Sequence, residues 1–193
     1  MSTHHPLILA STSPRRREIL ESMGLDFEVE SVEVDESPLD DEKPDALVQR
    51  LAMAKASAAR LEGCVLGSDT VVVLDGRVLG KPRDGDDAVD MLLALSGQSH
   101  QVLTGVALRT ASDVHSLCSA TEVRFREISR DEALAYWQSG EPADKAGAYG
   151  IQGKGGIFVE SITGSYSCVM GLPVFETAAL LKSAGFDVLK TRI

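Results

Sequence analysis

Cysteine is scarce in this 193-residue chain: Cys64, Cys118 and Cys168 are odd in number, scattered and without a Cys-x-x-Cys spacing. That excludes a disulfide framework and a zinc knuckle, and leaves small core residues suited to a reducing cytosol. Long apolar runs are missing as well, since none approaches the roughly 20 residues of a membrane span. The opening stretch Met1 to Ser13 has no basic segment and its apolar run is brief, the pattern of a first strand and not of a signal peptide. Positive charge is in deficit: 19 Lys and Arg face 29 Asp and Glu, a net −10. A chain so acidic offers no broad field for nucleic acid or an anionic membrane. His100 and His115 stand apart with no His-Glu-x-x-His pattern, and no Gly-x-Ser-x-Gly elbow surrounds Ser167-Cys168. Walker A and dinucleotide-binding glycine patterns are both absent, which sets aside P-loop hydrolases and Rossmann dehydrogenases.

What is present reads as an ordinary globular chain, 44% hydrophobic and 25% charged, of a length that fits one domain or two lobes on one sheet. Pro6 to Ala10 is a short buried strand, and Ser13-Pro14 starts a helix that Gly24 ends. Phe27 to Val34 alternates like a strand, and an acidic loop from Asp35 to Pro44 follows. Asp45 to Leu61 has helical spacing. Cys64 to Asp69 is a buried strand ending in polar residues. Val71–Leu74, Asp75-Gly76 and Arg77–Leu79 form a hairpin, because Asp-Gly suits a type I′ turn. A helix over Asp86–Leu95 precedes a long antiparallel pair, Gln101–Arg109 and Ser116–Arg126. Ser129 to Glu132 is a capping box opening a helix to about Trp137, where Trp137 reads as packing. A glycine-rich loop, Gly140–Gly156, leads to a strand over Ile157–Ile162. The last helix runs from Pro173 to Ser183, with a tail strand at Val188. The expected class is α/β: a mixed, twisted sheet flanked by helices. The loops at 35–44 and 140–156 are the expected mobile segments or cleft walls.

Four constellations could carry chemistry. Ser11-Thr12-Ser13-Pro14-Arg15-Arg16-Arg17 puts three arginines in a helix's first turn, against the local dipole rule. They form an anion pocket with the serines and backbone N–H groups, or they face solvent and pair with Glu18 and Glu21. Gly67-Ser68-Asp69-Thr70 ends a buried strand, where Asp69 holds a metal, serves as a general base, or merely caps the chain. Lys55 and Lys81 are surface lysines, or neutralise charge on a polyphosphate. In the loop from Asp144 to Gly156, glycines permit close approach to a ligand and Gln152 offers a donor and an acceptor to a base edge; the alternative is a flexible glycine loop. Glu33, Asp35 and Glu36 add solvated carboxylates that could also meet a metal.

Together, Leu9-Ala10-Ser11-Thr12-Ser13-Pro14-Arg15-Arg16, Gly67-Ser68-Asp69-Thr70, Gly80-Lys81-Pro82-Arg83 and Lys145-Ala146-Gly147-Ala148-Tyr149-Gly150-Ile151-Gln152-Gly153 resemble the Maf family of nucleoside triphosphate pyrophosphatases. Gly164-Ser165-Tyr166 and Val169-Met170-Gly171-Leu172-Pro173 fit it too, so the resemblance spans nearly the whole chain in the family's order. It implies a single Maf-like domain over residues 1–193, with a Maf/ITPase-like fold of two lobes and a substrate cleft. It implies hydrolysis of a nucleoside triphosphate to monophosphate and pyrophosphate with Mg²⁺ or Mn²⁺, in the cytoplasm, as a house-cleaning activity. The segment around Gln152 is similar to the dTTP/UTP branch and differs from the branch acting on 7-methyl-GTP. A non-enzymatic nucleotide-sensing regulator of septum formation, or a pyrophosphatase of the same family acting on 7-methyl-GTP or other modified nucleotides, is the alternative. By resemblance, Asp69 and Lys81 are catalytic. Ser11, Ser13, Arg15, Arg16 and Lys55 bind the triphosphate; Arg15, Thr70 and Gln152 set base choice; Glu36 and Asp69 hold the cation. The family likeness also suggests a homodimer. Thr12 and Ser68 replace Gly and Ala of some relatives, changes expected to be tolerated.

Overall fold

The computed structural model describes residues 6–190. Strand β1 (Leu7–Leu9) is wholly buried. Helix α1 (Pro14–Ser22) begins at the expected proline, with Ser13 as N-cap residue but without a cap bond from its hydroxyl. Gly24, at φ +70°, closes it. Strand β2 is only Glu28–Val29, shorter than the alternation over Phe27–Val34 predicts. Its partner β1 ends at Leu9, so no further backbone is available to pair. Helix α2 (Pro44–Ala58) stops before Leu61, because Arg109 takes the carbonyls of Ser57, Ala59 and Leu61 at 3.3, 2.7 and 3.0 Å.

Strand β3 (Cys64–Leu74) runs straight through Gly67-Ser68-Asp69-Thr70. Asp69 therefore sits in mid-strand, not at a strand end as its polar neighbours suggested. The hairpin to β4 (Arg77–Leu79) has the expected turn, with positive φ at Asp75 (49°) and Gly76 (78°) as type I′ requires. Helix α3 (Gly85–Leu95) is capped by Asp84, whose carboxylate accepts from the Asp87 N–H at 2.9 Å. Strands β5 (Ser99–Arg109) and β6 (Val114–Phe125) follow. Helix α4 (Arg130–Gln138) opens with the full capping box of Ser129 and Glu132.

Residues 140–156 are not a featureless loop, for they contain the 3₁₀ turns Glu141–Asp144 and Ala146–Ala148 and enter a third, Lys154–Phe158. Strand β7 (Val159–Thr163), a short helix α5 (Tyr166–Met170) that the sequence did not announce, and α6 (Val174–Ser183) complete the chain. The tail strand expected at Val188 is instead a turn, closed by Lys190 N–H to the Asp187 carbonyl at 3.0 Å.

The strands form one seven-stranded sheet in the order β2-β1-β3-β5-β6-β7, with β4 added to β3. It is mixed: β1 pairs parallel with β2 and β3, whereas β3–β4 and β6–β7 are antiparallel. No helix among the described residues is long and apolar enough to cross a membrane. The chain divides into two compact units, and β3, β5 and β6 contribute residues to both. The first holds the described residues up to Asp69, Thr104–Ser119 and those from Gly171 onward; the second holds Thr70–Leu103 and Ala120–Met170.

The first unit has a core of small side chains, Ala52, Ala56 and Ala59 meeting Ile8, Ala10, Val65 and Ala107. Two glycines explain how closely α2 approaches the sheet. A Cβ on Gly67 would lie 2.3 Å from the Ala52 carbonyl oxygen, and one on Gly105 would lie 2.2 Å from that of Val48. Neither contact is possible for a real side chain, so glycine is required where helix backbone meets strand backbone.

The second unit is packed more conventionally, by Leu92, Leu95, Phe125, Tyr149 and Phe158. The His100 ring lies edge-on to Phe125 and Tyr149, with centroids 4.9 and 5.5 Å away. Its Nε2 is 2.9 Å from the Tyr149 hydroxyl, while Nδ1 finds no partner among the described residues. Burial pushes the imidazole down to about 4, so it is neutral at pH 7.

Gly67→Ala is expected to lower stability by about 1–3 kcal/mol in chemical denaturation, through overpacking of α2 against β3. The depressed histidine gives a second expectation. Between pH 6.5 and 4 the unfolded chain binds a proton at His100 that the folded chain does not, so stability falls as pH falls through that window. Denaturation midpoints of His100→Phe should show a smaller loss than the parent over that range; equal slopes would remove His100 as a cause.

Candidate active site

The close approach of α2 to β3 places the central pair. Residues two apart on a strand share a face, so Asp69 projects on the side where Gly67 meets α2. Lys55, on the same helix, lies directly across from it. Its Nζ donates to Asp69 Oδ1 at 2.6 Å and stands 2.6 Å from Glu36 Oε1. The side chains of Lys55 and Asp69 are only 12% and 10% exposed, while Glu36 is 52% exposed. One ammonium thus links a shielded carboxylate to an open one.

Glu36 is held there by its loop. Asp35 Oδ1 accepts from the Ser37 N–H at 2.9 Å, closing a tight turn around Glu36. Arg50 of α2 donates to the Ser37 carbonyl at 3.0 Å and to both Glu42 oxygens at 2.6 and 2.8 Å. The Arg50 guanidinium draws the Glu42 carboxyl down to about 2, against the opposing effect of burial. Glu42 in turn accepts from the Leu39 N–H at 3.0 Å. The acidic loop is therefore anchored to the helix that carries Lys55.

The arginine run divides. Arg16 turns back from α1 so that Nη1 donates to Ser11 Oγ at 3.0 Å and Nε to the Gly171 carbonyl at 2.9 Å. Burial lowers the pKa of this guanidinium, and the nearby Asp69 charge acts against that. Ser11 Oγ also accepts from the Ser13 N–H at 3.3 Å, while the Ser13 hydroxyl makes no cap bond to the first turn of α1. Arg15 is half-buried and Arg17 exposed. Ser68 points to the opposite face from Asp69, fully buried, with Oγ 2.9 Å from the Gly105 carbonyl and 2.8 Å from that of Gly171. Thus Gly171 joins Arg16 to β3.

Ser11, Ser13, Arg15, Arg16, Glu36, Lys55 and Asp69 all belong to the first unit, and Thr70, Lys81 and Gln152 to the second. Thr70 follows Asp69 on β3, half-buried. Lys81 is exposed beside Gly80, whose carbonyl accepts from the Gly147 N–H at 3.0 Å. Gln152 is exposed on a turn in which the Gly153 N–H donates to the Gly150 carbonyl at 3.4 Å.

The family model described as Maf-like protein matches residues 6–184. The chain belongs to the Maf-like family. A dTTP/UTP pyrophosphatase of Saccharophagus degradans is 54% identical over 194 residues, covering 93% of this chain and 92% of its own. One of Vibrio cholerae is 54% identical over 179 residues, covering 91% and 96%. A third, of Hahella chejuensis, is 50% identical over 188 residues, covering 94% of each chain.

In this Maf-like chain several contributors to the site escaped the sequence reading. Arg50 and Glu42 carried no signal, since their partnership depends on how a loop folds over α2. Gly105 did leave one: a glycine inside a β-rich run marks close backbone approach. Gly171 acts through its carbonyl, which no side-chain pattern advertises.

Ser68→Ala should cost about 1 kcal/mol in denaturation, because the Gly171 carbonyl keeps its bond from Arg16 when the hydroxyl is lost. Loss of several times that amount would mean that the Ser68 hydroxyl alone holds Gly171 in place.

Proposed function

We propose that this protein hydrolyses dTTP and UTP to the monophosphate and pyrophosphate, water attacking the α-phosphorus and the α–β bond breaking. The observation that carries the reading is Asp69, whose side chain is only 10% exposed, placed in mid-strand and paired at 2.6 Å with Lys55. The names of relatives at about half identity over nearly the full chain point the same way. A single functional domain is proposed, supported by a family match that runs across both units.

Asp69 takes the proton of the attacking water, and Lys55 keeps that carboxylate oriented and offsets negative charge at the phosphates. Arg15, Arg16, Ser11 and Ser13 bind the triphosphate at the start of α1, where the helix dipole also favours anions. Lys81 meets the charge that develops on the leaving group. Gln152 reads the pyrimidine: its amide can accept from N3–H and donate to O4 of uracil or thymine, and Arg15 and Thr70 complete base choice.

A divalent cation fits the donor set. Glu36 and Asp69 are the two carboxylates that would hold it, together with substrate phosphates, the usual donors for Mg²⁺; both now reach the Lys55 ammonium, which occupies the point where their oxygens converge. Among the described residues no group of three His, Cys, Asp or Glu gathers to bind a metal without substrate. When bound, Mg²⁺ or Mn²⁺ supplies positive charge to phosphate oxygens and to the departing pyrophosphate. The three free cysteines suit a reducing compartment, and the cytoplasm is the proposed location.

A panel of dTTP, UTP, CTP and 7-methyl-GTP, assayed for pyrophosphate with Mg²⁺, with Mn²⁺ and with EDTA, tests the reading. Release from dTTP and UTP that EDTA abolishes is expected. Asp69→Asn should retain the fold by circular dichroism and lose at least about a hundred-fold in kcat. No pyrophosphate from any nucleotide would leave a nucleotide-sensing regulator, release from 7-methyl-GTP alone would move the chain to another branch, and near-normal turnover by Asp69→Asn would sink the base assignment.

A further inference from the structure

One carboxylate gathers the backbone on the far side of the turn that carries Gln152, and its tyrosine partner gathers the near side. Glu141 Oε1 accepts from the Tyr136 hydroxyl at 2.8 Å and the Gly155 N–H at 3.1 Å, and Oε2 accepts from the Lys154 N–H at 2.9 Å. The Tyr136 hydroxyl oxygen accepts in turn from the Gly150 N–H at 3.0 Å. Gln152 therefore lies on a turn with both flanks tied to one Tyr–Glu pair, at Gly150 before it and at Lys154 and Gly155 after it.

The space left by absent side chains records the same geometry. A Cβ on Gly153 would lie 2.4 Å from each Glu141 oxygen, and one on Gly155 would lie 2.5 Å from the Tyr136 hydroxyl. Gly150 would meet the Lys145 side chain at 2.8 Å, and Lys145 Nζ donates to the Glu141 backbone carbonyl at 2.6 Å. The segment is wrapped around the Glu141 carboxylate as a binding loop is wrapped around an anion. Burial raises the pKa of Glu141, but the bonds from Gly155, Lys154 and Tyr136 outweigh it and the net shift is downward, so the group is ionised at neutral pH.

We infer that Glu141, with Tyr136, is a positioning residue for base selection: it sets the turn that presents Gln152 to the pyrimidine edge. The inference rests on the reading of Gln152 as the group that meets the base. Glu141 touches no substrate in this assignment, and its effect is confined to how well uracil is told from cytosine. A glutamine at 141 keeps the size and one acceptor oxygen, but the other becomes an NH₂ that cannot accept from a backbone N–H or from the Tyr136 hydroxyl. Tyr136→Phe removes the shared hydroxyl and keeps the ring that packs on Phe158 at 5.2 Å.

The measurement is the ratio of kcat/KM for UTP to that for CTP, which differ at the N3 and 4-position groups. Gln152→Ala should collapse the ratio. Glu141→Gln should lower it about ten-fold, as loss of hydrogen bonds to one element implies, and Tyr136→Phe by a smaller factor. The double variant Glu141→Gln/Gln152→Ala should have no lower a ratio than Gln152→Ala alone, because both changes remove one function. A Glu141 that merely supports the fold gives equal losses on UTP and CTP with the ratio unchanged, which overturns the inference while Gln152→Ala still upholds the base reading. An unchanged ratio in Gln152→Ala overturns both. If Glu141→Gln does not fold, Tyr136→Phe decides alone: an unchanged ratio counts against the inference and a lowered one supports it.

Discussion

The first unit depends on how closely α2 lies against β3 and β5. Gly67 and Gly105 leave no side chain between helix and strand backbone, and the alanines of α2 fill what remains. Such a contact buries less apolar area than a leucine-rich seam, so it contributes less hydrophobic stabilisation per residue. What it provides is proximity. At this separation the lysine on α2 reaches a carboxylate rooted in the middle of β3, and both are shielded from water.

That proximity shapes the electrostatics. A shielded carboxylate without a partner would be costly, so Lys55 and Asp69 stabilise one another's burial. Glu36 adds a second negative charge from the open side, held by a loop that Arg50 fastens to α2. The net −10 of the chain thus coexists with local cationic groups where an anionic ligand would be met. An excess of acid overall and a concentration of Arg and Lys at one place are different statements.

The second unit solves a different problem by comparable means. A glycine-rich segment would lose much conformational entropy on ordering, yet here it is closed by hydrogen bonds to Tyr136 and Glu141. The hydroxyl is carried by a ring that meets Phe158 edge-on at 5.2 Å, and it donates to the Glu141 carboxylate at 2.8 Å. This polar clamp turns a composition that reads as flexible into an ordered turn.

Much of this was legible from the residues alone. Local rules act over a few neighbours, so the type I′ turn at Asp75-Gly76, the capping box at Ser129 and the helix start at Pro14 could be read directly. The family followed from ordered motifs. Tertiary structure alone decided the length of β2 and β3, the end of α2, and the turn that replaced a tail strand at Val188. Each of these depends on whether a distant backbone or side chain is available as a partner, as Arg109 is for the carbonyls beyond α2. The same holds for the Glu36–Lys55–Asp69 cluster and for the Glu141 clamp. Hydrogen bonds and ion pairs act over about 3 Å, and only folding brings residues tens of positions apart within that reach.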